Sequence, residues 1–187
     1  VAPGRLVSVV YGAAGTYPVY TDNVGGIDGA DWATGPLDSG PVGGQPNESN
    51  IALLPDGRLI TTHRVSNSVD TRSYSISTDG GATFVAQGFL PDWIGAGVSA
   101  SLVQVDPPGV AGPVGRLAMS RPYASPLFGT RSGTRIDFAT DDSFEFSNPI
   151  EPWSYARYMG YSSMKPLFGG SHVALSVEGG TRPFNVN

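Results

Sequence analysis

Pro46-Asn-Glu-Ser-Asn-Ile-Ala-Leu-Leu-Pro-Asp-Gly-Arg-Leu-Ile-Thr-Thr-His-Arg64 is the stretch on which the reading of the chain turns. An apolar strand from Ile51 to Leu54, a turn at Pro55, Asp56 and Gly57, and a second strand from Arg58 to Thr62 make a β-hairpin, because β-formers flank a turn that glycine permits. Each outer end carries a charge. A hairpin that folds back on itself brings its ends together, so Glu48 and Arg64, sixteen residues apart, are expected on one rim of a sheet as a candidate pair. The same grammar of strand, glycine turn, strand and a rim Arg, Tyr or Glu recurs further along.

Composition agrees with a chain built from such units. The 187 residues are enough to bury one good core, and 26 glycines and 16 prolines with only 14% charged residues favour short strands and tight turns over helices. No window of ten or more residues shows helical apolar spacing free of Gly or Pro, so the expected class is all-β. There is no cysteine, hence no disulfide framework and no thiolate metal site. His63 and His172 have no ligand partners at metal-binding spacing and read as solvated or packed; neither a metal nor a cofactor is expected. The net charge of −5, with Lys165 the only lysine, argues against a nucleic-acid partner. No apolar run approaches the roughly twenty residues of a membrane-spanning helix. The amino end does not read as a signal peptide but as a strand entered in mid-fold.

Taken in order, the chain divides into similar units. The first has strands at Arg5 to Tyr11 and Tyr17 to Tyr20 and a Gly-rich segment ending at Trp32; the second runs from the Glu48 hairpin through Arg72 to Phe84. The third begins near Ser99, resumes at Gly115 and continues through Arg131 to Phe146; a fourth, incomplete one holds Tyr161, a turn at Gly169 and Gly170, and a strand from His172 to Val177 ending at Glu178. Two octets about sixty residues apart mark the repeat: Ser77-Thr-Asp79-Gly-Gly81-Ala-Thr83-Phe84 and Ala139-Thr-Asp141-Asp-Ser143-Phe-Glu-Phe146. Repeated antiparallel units of this size suggest propeller blades, whose loops gather on one face.

The first octet resembles the Asp-box, in which Asp79 holds its own turn, Gly81 takes a positive φ, Ser77 assists and Phe84 packs beneath; the second, at Asp141, is a degraded copy, and Tyr20-Thr-Asp22 a weaker relic. Such boxes are structural. Around them the chain resembles the bacterial sialidase family along nearly its whole length. The Glu48 segment with Leu54-Pro-Asp-Gly-Arg-Leu and Arg64 is similar to the family's Glu-to-Arg hairpin. Arg131-Ser-Gly-Thr is similar to the Arg strand before the last box, and Tyr161-Ser-Ser-Met with Val177-Glu178-Gly-Gly to the Tyr and Glu segment.

That resemblance implies a six-bladed β-propeller, of which residues 1–187 would supply about three to four blades as the carboxyl-terminal portion of the catalytic domain. It implies an exo-sialidase releasing terminal sialic acid from glycoconjugates with retention, outside the cell or on its surface, on a sialylated glycan substrate. In that scheme Tyr161 is the nucleophile and Glu48 its base, Arg64 and Arg131 bind the substrate carboxylate, and Glu178 orients an arginine. The attacked carbon of sialic acid bears a carboxylate, so a neutral phenol avoids the repulsion that a carboxylate nucleophile would meet. A phenol with a pKa of about 10 needs a neighbouring base.

Other readings of the same residues stand beside this one. Glu48 and Arg64 would also serve as an exposed cross-strand ion pair, Tyr161 as a rim aromatic packing on Tyr158 or Met164, and Arg135, Arg121 and Arg157 compete with Arg131. The family's third arginine, in a Phe/Tyr-Arg-Ile-Pro motif, and its acid/base Asp do not occur in the chain. Hence a partner is expected, either an amino-terminal half or a second chain closing the ring, and the isolated chain is expected to be inactive. The alternatives are a sialic-acid or glycan-binding propeller without catalysis and a propeller hydrolase acting on another glycan.

Overall fold

The computed structural model of the chain describes residues 4–23, 31–41, 45–65, 71–90, 98, 100–105, 116–125, 129–139, 144–167 and 172–180. These residues are all-β and form three antiparallel sheets. The first orders β1 (Leu6–Gly12), β2 (Gly15–Thr21) and β3 (Ala33–Thr34) side by side. The second is a meander of β4 (Pro46–Leu53), β5 (Leu59–Val65), β6 (Arg72–Ser77) and β7 (Val85–Phe89). The third contains β8 (Ser101–Val105), β9 (Arg116–Ser125), β10 (Gly129–Ala139), β11 (Ser147–Leu167) and β12 (His172–Gly180), each paired with the next.

The β4–β5 hairpin closes through the local chemistry of its turn. Gly57 adopts φ 88°, its amide donates to the Leu54 carbonyl at 3.0 Å, and the Asp56 carboxylate accepts the Arg58 amide at 3.0 Å. The strands extend beyond the apolar core of the hairpin, to Pro46 on one side and Val65 on the other, so the charged ends are themselves in the ladder. β5 lies between β4 and β6 and is buried along nearly its whole length, including Thr61, Thr62 and His63. A separate fourth unit starting at Tyr161 is not what the structure shows. β11 runs 21 residues; its first part pairs with β10, from Phe138↔Ser147 to Ser132↔Tyr158, and its second with β12, from Tyr158↔Gly180 to Leu167↔His172. Pro149 and Pro152 cannot donate to a ladder and read in sequence as breakers, yet the β10–β11 pairing absorbs them through repeated register shifts.

The sheets sit next to one another, β1 beside β4 and β4 beside β8, and within the third sheet β8 also meets β11. One apolar cluster joins Leu54, Ile60, Ile76 and Leu90 of the second sheet region to Leu102, Leu117, Met119 and Phe144 of the third. Phe144, which stands in the second octet where the first has Ala82, takes φ 53° and sets its ring 5.2 Å from that of Tyr74, making an inter-sheet contact. Residues 140–143 of that octet, Asp141 included, lie outside the described residues.

In the first octet the Asp79 carboxylate accepts the Thr83 amide at 2.9 Å, the Thr83 hydroxyl at 2.7 Å and the Ser77 hydroxyl at 2.8 Å, while Ser77 Oγ accepts the Gly81 amide at 2.8 Å. Gly80 and Gly81 take φ 73° and 88°, and Phe84 is buried. Asp79→Ala removes three accepted hydrogen bonds at an exposed turn. It is expected to destabilise the fold by about 1–2 kcal/mol, a melting temperature lower by about 2–8 °C in calorimetry.

Candidate active site

Three strands distant in sequence deliver one cluster of polar groups. Glu48 comes from β4, Arg64 from the facing end of β5, and Tyr161 from β11. The Tyr161 hydroxyl donates to Glu48 Oε1 at 2.6 Å, and Arg64 Nη1 donates to the same oxygen at 3.0 Å. Glu48 Oε2 and Arg64 Nε are buried and have no hydrogen-bond partner among the described residues. The Glu48 side chain is 16% exposed and that of Arg64 30%, whereas Tyr161 is 43% exposed, so the phenol faces solvent and the carboxylate lies behind it.

The neighbours of Tyr161 hold it in place. The Ser162 and Ser120 hydroxyls are 2.8 Å apart, tying β11 to β9, and the Met164 amide donates to Ser101 Oγ of β8 at 2.8 Å. On the other side the Tyr161 amide donates to Glu178 Oε2 of β12 at 3.3 Å. Glu178 thus contacts the backbone of Tyr161. Gly160 makes this possible, since a Cβ there would collide with Glu178 Oε2. Gly160→Ala is therefore expected to drive the Glu178 carboxylate off the Tyr161 amide, visible in a crystal structure of the variant as a rotated Glu178 side chain. Nothing in the sequence pattern singles out Gly160.

A second cation stands behind Arg64. Arg72 faces Arg64 across the β5–β6 ladder, is buried, and donates from Nη2 to the Val98 carbonyl at 2.6 Å. Burial lowers its guanidinium to about 9, opposed by the negative charge of Glu48 and reinforced by the like charges of Arg64 and Arg121, so it remains cationic at neutral pH. Arg121 and Arg135, rivals of Arg131 for anion binding, both engage buried Asp137, at 2.8 and 2.6 Å from their Nε atoms. The backbone of Arg131 lies in β10, and its side chain is outside the described residues, as is that of Arg157.

Below Glu48 is a buried polar cluster that the sequence did not reveal. His63 is fully buried, with Nδ1 2.8 Å from Ser49 Oγ and Nε2 3.0 Å from Thr61 Oγ1 and 3.4 Å from Asp38 Oδ2. Burial works to raise the Asp38 carboxyl. The nearby His63 and Ser75 side chains and the Gly40 amide, which donates to Oδ1 at 2.9 Å, outweigh it and hold the group below its ordinary value near 3.8. Its folded value being depressed, Asp38 contributes stability that is present above about pH 4 and lost as pH falls through the lower folded value. Acid titration of the unfolding free energy is expected to fall less steeply below pH 4 in Asp38→Asn than in the parent. His172, by contrast, is exposed. Among the described residues no group of three or more His, Cys, Asp or Glu could hold a metal ion, and no helix is long and apolar enough to cross a membrane.

No family model matches the chain, and no curated protein matches it in sequence. Solved structures do match it in shape. They include the intramolecular trans-sialidase of Ruminococcus gnavus (18% identity, TM-score 0.65, 94% of this chain and 40% of that one). They also include a point mutant of the NanB sialidase of Streptococcus pneumoniae (17%, 0.72, 95% and 26%) and the Trypanosoma rangeli sialidase (20%, 0.65, 97% and 28%). The last is also known as a covalent intermediate with 2,3-difluorosialic acid. The chain spans 26% to 40% of the length of these three proteins. Nearly all of it therefore follows the fold seen in sialidases, an all-β arrangement of antiparallel sheets.

Proposed function

We propose that the chain is the carboxyl-terminal portion of the catalytic propeller of a retaining exo-sialidase, with Tyr161 as nucleophile and Glu48 as its base. The observation that carries this reading is the single carboxylate oxygen, Glu48 Oε1, that receives both the Tyr161 hydroxyl and the Arg64 guanidinium. An O–H···O⁻ contact of 2.6 Å is the length of a charge-assisted bond along which a proton moves as the phenol attacks. In the first step the Tyr161 oxygen bonds to the anomeric carbon, its proton passes to Glu48, and the glycosidic carbon–oxygen bond breaks. The leaving oxygen takes a proton from a general acid expected on a segment beyond residues 1–187. In the second step water adds to the anomeric carbon and gives a proton to the conjugate base of that general acid, the carbon–Tyr161 bond breaks, and Glu48 returns its proton to the departing phenolate.

Arg64 and Arg131 take the substrate carboxylate in this scheme. Arg64 gives one N–H to Glu48, and its side chain is 30% exposed, so part of its guanidinium fork is open to an incoming carboxylate. Buried Arg72 adds fixed positive charge behind it. Glu178 and Gly160 set the backbone of Tyr161. The remaining blades of a six-bladed ring come from an amino-terminal half or a partner chain.

The test is hydrolysis of a fluorogenic α-sialoside by the full-length protein, with the first-formed sugar followed by NMR. Release of the α-anomer supports the double displacement. Release of the β-anomer contradicts it, and binding of sialosides without turnover indicates a binding propeller in its place.

A further inference from the structure

Glu48 sits on an irregular piece of strand. In the β4–β5 ladder Pro46 faces Val65 and Ser49 faces His63, so Asn47 and Glu48 together stand opposite Arg64 alone. Such a bulge re-aims the side chains it carries, and the direction of the Glu48 carboxylate depends on its shape. The Ser49 hydroxyl donates to the Asn47 carbonyl at 2.5 Å and so braces the bulge from within. That uses its one proton, and the oxygen is left to accept from His63 Nδ1 at 2.8 Å. Thr16 Oγ1 lies 3.3 Å from the same hydroxyl.

The bracing is anchored outside the hairpin. Asp38, opposite His63 Nε2, pairs with Thr16 of β2 through two backbone hydrogen bonds of 3.0 and 2.8 Å, and its Oδ1 accepts the Gly40 amide at 2.9 Å. Thr16, Asp38, Thr61 and His63 are all buried, so the cluster links the first sheet to the second through polar atoms. Stability does not account for it, because burying polar and charged groups is costly and well-packed apolar residues of similar volume commonly serve as well or better. Departures from that rule gather where a site must be held in one geometry.

We infer that Ser49 and His63, backed by Asp38, are positioning residues that hold the bulge and thereby aim Glu48 at Tyr161. The catalytic consequence rests on the reading of Tyr161 and Glu48 proposed above; the geometric consequence does not. The bulge fixes the Glu48 backbone from below, while Arg64 holds its carboxylate from the side.

The test uses the full-length protein with ¹³Cζ-labelled tyrosine. The Tyr161 signal is identified by its loss in Tyr161→Phe, and Glu48→Gln shows where it moves when the carboxylate is gone. Ser49→Ala and His63→Phe are expected to shift it toward the Glu48→Gln position and to lower kcat by about 10- to 100-fold with KM little changed. Ser49→Thr, which keeps the hydroxyl, is expected to restore most of both. Asp79→Ala, a destabilising change elsewhere, is expected to leave the signal in place. A folded Ser49→Ala protein with the parent's Tyr161 signal overturns the inference. Should His63→Phe fail to fold, Ser49→Ala, which removes a single oxygen, decides the matter. Should the parent hydrolyse no sialoside, the proposed function fails while the NMR shift still decides the positioning role.

Discussion

Tyr161→Phe is expected to lower the turnover of an aryl α-sialoside by about 10³-fold or more, a loss of roughly 4 kcal/mol or more of transition-state stabilisation. The substitution keeps the ring and removes only the oxygen that would form the covalent bond. Arg64 still holds Glu48 Oε1, so the site should otherwise keep its shape and KM should change little. Glu48→Gln takes the base and leaves the phenol, and a loss of about 10²- to 10⁴-fold is expected. The two effects should not add, since nucleophile and base act as one unit. Steady-state kinetics of the two single variants and the double variant check this.

Arg64→Ala carries the second large effect, expected at about 2–4 kcal/mol in kcat/KM, or roughly 30- to 1000-fold. Two losses combine in it: the cation that the proposed scheme gives the substrate carboxylate, and the partner that holds Glu48 Oε1, the oxygen that also accepts the Tyr161 hydroxyl. A substrate whose carboxylate is masked as a methyl ester separates them. The parent should prefer the acid strongly, and the variant should lose most of that preference. Arg64→Lys restores the charge without the planar fork and should recover only part of the loss. An unchanged preference for the acid in Arg64→Ala would show that Arg64 does not face the substrate carboxylate.

The parts of this site that lay close together in sequence were legible there. Gly57 and Asp56 specify the turn, and the turn places Glu48 opposite Arg64, so that pairing needed only local rules. The contact of Tyr161 with Glu48 spans 113 residues, and only the resemblance of three separated motifs pointed to it. The length of β11 is hidden in the sequence because Pro149 and Pro152 cannot donate to a ladder, whereas the pairing with β10 shifts register around them. His63 was read as solvated or packed because nothing in the order of β5 shows that Asp38, in a segment paired with β2, supplies a buried partner. The burial of Arg72 likewise follows from its neighbours: the residues from Arg72 to Ser77 alternate as a half-buried strand does, whereas the structure covers that strand almost wholly.

The bond from Tyr161 to the sugar is the step on which the proposed chemistry rests. Its most direct measurement is mass mapping of the full-length protein after incubation with 2,3-difluorosialic acid, the compound held covalently by the Trypanosoma rangeli sialidase. A sugar adduct on the peptide containing Tyr161, absent in Tyr161→Phe, is the predicted result. An adduct on Glu48, or sialoside consumption with no adduct on Tyr161 under trapping conditions, would contradict it.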